Sequence, residues 1–141
     1  MTHLQTEIIL NAPNEKVWNT LVDFQAYKSW NPFIISSSGK AVVGEKLTNT
    51  MLHKGKPTTF TPVITKVEIH KELEWLGSGS MGAFKGRHYF KLEDLGNGQT
   101  KLIHGEHFSG ILRGIVMRMI GEDTLKSFQK MNKALKEVVE G

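Results

Sequence analysis

The chain is expected to adopt an α+β fold in which a curved antiparallel β-sheet wraps around one long carboxy-terminal helix, with two short helices after the first strand. Three observations lead there. Between Phe33 and Gly110, runs of about six to ten residues rich in Val, Ile, Thr, Phe and Trp alternate with turn residues, as strands do. After Gly110 the pattern lengthens, with Thr124, Phe128, Met131, Leu135 and Val138 stepping by four, three, four and three. Ahead of Phe33, one strand-like run is followed by two short helical patterns. About six consecutive strands form a sheet too wide to stay flat, and covering one face with an amphipathic helix buries both apolar surfaces.

Taken in order, "HLQTEIIL" reads as a first strand that stops at "NAPNEKVW". Pro13 suits the first turn of a helix, where its missing N–H costs nothing, and Glu15 favours the positive helix end. Val17, Trp18, Leu21 and Val22 form a short packing stripe, in which Trp18 serves packing alone. A second turn, "FQAYKSWNP", ends at Pro32, because the residue before proline is driven out of helical conformation. Turns between strands are expected at "SSGKAVVGEK", "HKGKPTT", "HKE", "GSGSMG" and "DLGNGQ", with Asn97-Gly98 as the strongest hairpin signal. The segment "GILRGIVMRMIGED" contains Gly114 and Gly121 and is open to reading as a loop, a kinked helix or a mobile lid. Beyond it, Lys126, Lys130, Lys133 and Glu137 occupy the remaining faces of the long helix.

Composition narrows the classes. A length of 141 residues fits one domain, residues 1–141, able to bury a core without metal or disulfide staples. Hydrophobic residues make up 39%, charged residues 23%, and cysteine is absent, which excludes disulfides and cysteine metal sites. The amino terminus lacks a basic region followed by a long apolar run, so a cytoplasmic location is the expectation. No segment approaches about 20 consecutive apolar residues, so stable membrane insertion is not expected. The net charge of +4 is spread over the chain without a basic stripe interleaved with aromatics, which argues against a nucleic-acid partner. Oligomeric state is not legible.

"NAPNEKVWNTLVDFQAYKSWNPF", "ELEWLGSG", "GRHYFKLEDLGNGQTKLIHGEHFSG" and "SFQKMNKALKEVVE" together resemble, in this order and over nearly the whole chain, the START-like or helix-grip (SRPBCC) superfamily. Within it they are most similar to the polyketide cyclase/dehydrase-like proteins of bacteria. The resemblance implies a sheet gripping the carboxy-terminal helix with a hydrophobic cavity between them. Its members include lipid-transfer domains, aromatic polyketide cyclases and hormone receptors, so function must be argued from the site.

Strand alternation locates that site. In "TKLIHGEHFSG", if Leu102 and Phe108 face the core, His104 and Glu106 face it too, while His107 faces away. In "FKGRHYFKLE", Phe84, Gly86, His88, Phe90 and Leu92 form the inward row. In "ELEWL" the inward pair is Leu73 and Trp75. A wall bearing Trp75, His88, His104 and Glu106 amid apolar residues has two readings. It orients the polar head of a small hydrophobic ligand, or it is an internal hydrogen-bonded network that fixes strand register. If catalytic, Glu106, His104 and His88 are the acid–base candidates for a cyclisation or dehydration needing no cofactor.

The candidate ligand contacts are Trp75, His88, Phe90, His104, Glu106 and Phe108, together with Trp30, Met51, Phe60 and Met117 around the cavity or its mouth, and Met81 with them. No metal is expected, because at most two histidines and one carboxylate converge and no helical HExxH spacing occurs. Two arginines punctuating "ILRGIVMRMIG" raise the alternative of an interfacial amphipathic helix beside that of a cavity-closing segment. Three functions stay open: a binder of a small hydrophobic or amphipathic ligand, a polyketide cyclase/dehydratase-type enzyme, and a co-chaperone or toxin-like interaction module.

Overall fold

The computed structural model describes residues 2–141. Strand β1 (His3–Leu10) leads into α1 (Asn14–Val22), a 3₁₀ turn (Phe24–Ala26) and α2 (Tyr27–Trp30). Strands β2 (Ile34–Ser38), β3 (Thr48–His53), β4 (Lys56–Phe60), β5 (Val63–Glu68), β6 (Glu72–Gly79), β7 (Phe84–Gly96) and β8 (Gln99–Ser109) follow, and α3 (Arg113–Glu140) closes the described chain. This is the expected α+β order.

The strands form two antiparallel sheets, one of order β1-β8-β7-β6-β5 and one of order β2-β3-β4. Backbone bonds from Gly44 N–H to the Ile64 carbonyl, Leu47 N–H to the Pro62 carbonyl and Ile64 N–H to the Glu45 carbonyl tie the connection between β2 and β3 to the β5 edge of the first sheet. The combined surface thus curves from β1 round to β4. In its hollow lies α3, presenting Met117, Gly121, Thr124, Phe128, Met131, Asn132, Leu135 and Val139 to the core.

Four local differences from the sequence expectation have physical causes. The "HKGKPTT" turn shrinks to Lys54-Gly55, and "KPTTF" becomes β4, a strand tolerant of Pro57 because it lies at a sheet edge. There are accordingly seven strands after α2, in two sheets. Pro13 precedes the first helical residue of α1 as an extended N-cap. The helical stripe ends on Val139, with Val138 exposed, as a 3.6-residue period drifts relative to alternating steps of four and three.

The "GILRGIVMRMIGED" segment is helical from Arg113 onward, continuous with α3 for 28 residues. The β7–β8 hairpin turns at Asn97-Gly98, both with positive φ, as a two-residue turn requires. Leu10, Leu21, Phe24, Ile34, Leu73, Phe90, Leu102, Phe128 and Leu135 are buried within a single apolar cluster. Each such side chain contributes about 1.5–3 kcal/mol by leaving water. No helix is long and apolar enough to cross a membrane among the described residues.

Candidate functional site

The register of β7 on β8 sets His88 opposite Glu106 and Phe90 opposite His104, and β6 sets Trp75 opposite His88. Period-two geometry then turns all five to the same side of the sheet, toward α3. His107 points the other way, stacked on His3 at 3.9 Å between ring centroids on the outer face.

A chain of hydrogen bonds runs through the inward groups, and counting its protons orients it. The Thr6 hydroxyl donates to the His104 carbonyl at 2.9 Å, so it has only lone pairs left for Asn132, whose Nδ2 donates to it at 2.8 Å. Asn132 Oδ1 must then accept, and its partner is His104 Nδ1–H at 2.8 Å. His104 is fully buried, its ring stacked between Phe90 at 4.4 Å and Phe128 at 4.3 Å. Desolvation in that apolar sandwich, reinforced by neighbouring His88, pushes its pKa well below 6.5 against the weaker opposing pull of the Asn132 hydrogen bond. A neutral His104 protonated on Nδ1 has an acceptor at Nε2, so His88 Nε2–H donates to it at 2.7 Å.

His88 Nδ1, the remaining ring nitrogen, faces Glu106 Oε1 at 3.3 Å. With Nε2–H committed inward, a hydrogen bond across this last contact needs one proton between Nδ1 and the carboxyl. Either the carboxyl carries it and donates to the imidazole, or the imidazole carries it opposite a carboxylate. Glu106 is the partly exposed member, with 15% of its side chain accessible against 1% for His88. Its second oxygen lies over Gly86, where an added Cβ would come within 2.0 Å of Oε2. Glycine at that position is therefore what lets the carboxyl lie against the strand.

Next to this dyad the structure has a cavity of about 230 Å³. Trp75, Gly77, Phe84, His88, Glu106 and Phe108 line it from the main sheet. Phe33, Met51, Phe60 and Pro62 line it from the second sheet and its flanks, and Ile120 and Thr124 from α3. Trp75 stacks on the His88 ring at 5.1 Å, and Phe84 on Phe108 at 5.5 Å, which fixes the aromatic part of the wall. The enclosure is mainly apolar, with Glu106 and His88 as its ionisable pair from the main sheet and His53 and Asn49 on β3 of the second sheet.

Of the residues singled out from sequence, Trp75, His88, Glu106, Phe108, Met51 and Phe60 stand on the cavity wall. His104 and Phe90 lie behind His88, in the interior network, because the wall at that level is completed by Trp75 and His88 themselves. Trp30 lies elsewhere, on a shallow outer groove with Pro13, Lys16 and Val138, its ring edge-on to Tyr27 at 5.3 Å. Met117 is buried in the core away from the cavity lining. Met81 is fully exposed on the turn between β6 and β7.

Asn132 and Thr6, which orient the network, were not anticipated. Both had a signal: each is a polar residue on an otherwise apolar face, Asn132 four residues after Phe128 and Thr6 between Leu4 and Ile8.

Comparison with known proteins adds the family. The solved structures it resembles include a START superfamily protein from Mycobacterium smegmatis, with 20% identity over 98% of this chain and 97% of that one and a TM-score of 0.76. Another is a hypothetical protein of Helicobacter pylori, with 14% identity over 97% and 87% and a TM-score of 0.81. A third is the di-domain ARO/CYC protein BexL of the BE-7585A biosynthetic pathway, with 13% identity, a TM-score of 0.75, and coverage of 99% of this chain and 47% of that one. At these identities the likeness is one of fold. No curated protein matches the chain in sequence. The model of the family described as polyketide cyclase / dehydrase and lipid transport matches residues 1–140, and the chain belongs to that family.

Proposed function

We propose that the chain binds a small, largely apolar molecule carrying one hydroxyl or comparable polar group, held between the sheet and α3. Affinity comes from the apolar wall, and orientation from the His88–Glu106 dyad. The observation that carries this reading is the placement of a single partly exposed carboxyl, backed by a buried imidazole, in an otherwise mainly apolar enclosure. Glu106 can accept from a ligand hydroxyl as a carboxylate or donate to a ligand oxygen as a carboxylic acid. The setting proposed is cytoplasmic, with no nucleic-acid partner.

A second reading follows from the same pair. A carboxyl and an imidazole in contact at 3.3 Å beside an apolar pocket are suited to general acid–base catalysis of a cyclisation or dehydration. His104, locked as an acceptor by Asn132, would then keep His88 oriented and would not touch the substrate.

Naphthol and naphthalene separate the readings from a purely structural network. Calorimetric titration of the wild type is expected to show naphthol bound more tightly, by about fivefold to tenfold, the value of one hydrogen bond of about 1 kcal/mol. In Glu106→Gln the advantage of the hydroxyl shrinks while naphthalene binding is kept. Equal affinities for the two compounds in the wild type would overturn the orienting role. For the catalytic reading, a carbonyl substrate must be turned over by the wild type and bound without turnover by Glu106→Gln.

A further inference from the structure

The first two turns of α3 and the turn between β6 and β7 form a surface that the cavity does not use. Ile115 is 61% exposed and Met119 69%, one helical turn apart on the side of α3 opposite buried Met117 and Gly121, and Ile111, 88% exposed, lies in the turn that leads into the helix. Met81 stands fully exposed at φ 57, a left-handed backbone that a methionine seldom adopts. The two pieces are joined: Leu112 N–H donates to the Ala83 carbonyl at 2.9 Å. Elsewhere the exposed apolar residues are the neighbouring Val42 and Val43 between β2 and β3 and scattered single residues such as Ile9, Ile69 and Leu95.

The charges around this α3 patch are basic. Arg113 and Arg118 are exposed in the same two turns, and the first turn of α3 holds no acid. The Lys85 stem lies beside Gly82, in the turn that carries Met81. The next acids along the helix, Glu122 and Asp123, are paired with Lys126 at 3.8 Å and Lys54 at 3.4 Å. The patch also borders the cavity: Gly79 and Phe84 of its wall flank the turn bearing Met81, and wall residue Ile120 follows Met119.

We infer that Met81, Ile111, Ile115 and Met119, ringed by Lys85, Arg113 and Arg118, are a docking face for an anionic lipid bilayer surface. Apolar side chains of this reach enter the headgroup–acyl boundary, and the cations meet the phosphate layer. Docking there puts the cavity wall next to the bilayer without any segment spanning it. The two features are independent in their chemistry, since the patch needs no ligand in the cavity.

Cosedimentation of the full chain with vesicles tests the inference. The wild type is expected to bind vesicles of phosphatidylcholine mixed with phosphatidylglycerol, and to bind pure phosphatidylcholine far less. Added salt should weaken the binding, because surface charges are screened. The double variant Ile115→Asp/Met119→Asp should lose at least about tenfold in partitioning. Arg113→Gln/Arg118→Gln should reduce both the binding and its salt dependence. All these positions are exposed, and circular dichroism melts confirm that each variant folds. Absence of wild-type binding, or equal binding by the Asp variant, would overturn the inference. So would self-association that the Asp variant abolishes in the absence of vesicle binding, which would assign the face to a second copy of the chain. Because no cavity ligand is present in this assay, its failure leaves the cavity reading intact.

Discussion

His104 shows how one side chain can organise a site it does not enter. Its ring is held between Phe90 and Phe128, and its two nitrogens are spent on Asn132 and His88. Protonating it would put a charge into that apolar sandwich and turn its Nε2 from acceptor to donor, against the His88 N–H. The consequence for stability has a definite sign. In the unfolded chain His104 binds a proton as pH falls through 6.5, whereas in the folded chain burial holds its pKa well below that value. Over that window the unfolded state binds more protons, so stability is full above pH 6.5 and declines as pH drops, until the depressed folded value is passed. Urea unfolding across this range should show the decline in the wild type. The part due to this residue should vanish in His104→Gln, whose amide does not titrate. An identical pH slope in the two proteins would contradict the assignment of His104 as a buried neutral group.

Among the elements, α3 is where sequence and structure differ most instructively. Gly114 and Gly121 lower helix propensity, and a stretch containing both is equally compatible with a loop, a kink or a lid. The helix nevertheless starts at Arg113, because Met117, Gly121 and Thr124 continue the buried face that Phe128 and Met131 begin. Tertiary packing decides what propensity leaves open. Gly114 has open space around its Cβ position and an exposed helical backbone. Gly114→Ala should therefore raise stability by about 0.5–1 kcal/mol, measured by urea unfolding. A loss of stability would mean that this turn is not helical in solution.

The strands were more legible. Alternation placed His88, Glu106 and Trp75 on one face, and the Asn97-Gly98 turn set the pairing that brings His88 opposite Glu106. Depth was not legible, because alternation gives a side of the sheet without saying how far from the cavity a residue lies. That is why His104 and Phe90, on the same face as His88, belong to the layer behind the wall. The partner on α3 was hidden for a related reason. Asn132 reads as a polar position on a helix until the sheet that His104 stands on is folded against it.

At the scale of the molecule, the curved sheets and α3 enclose more volume than their side chains fill, and the remaining space lies over the one partly exposed carboxyl of the polar network. If that space is a binding site, filling it from the protein side must abolish binding without touching the dyad. Gly77 permits this, since it lies on the wall and an added Cβ would make only ordinary contacts, 3.9 Å from the Gly86 carbonyl and from Pro62. A β-branched side chain there suits strand β6 and projects into the cavity. The most direct test is calorimetric titration of naphthol into the wild type and into Gly77→Val, with both proteins shown to be folded. The account predicts binding by the wild type and a loss of at least about tenfold in the variant, the effect of displacing an apolar ligand from part of its space. Undiminished binding by Gly77→Val would contradict it, and would place the ligand outside the space between the sheet and α3.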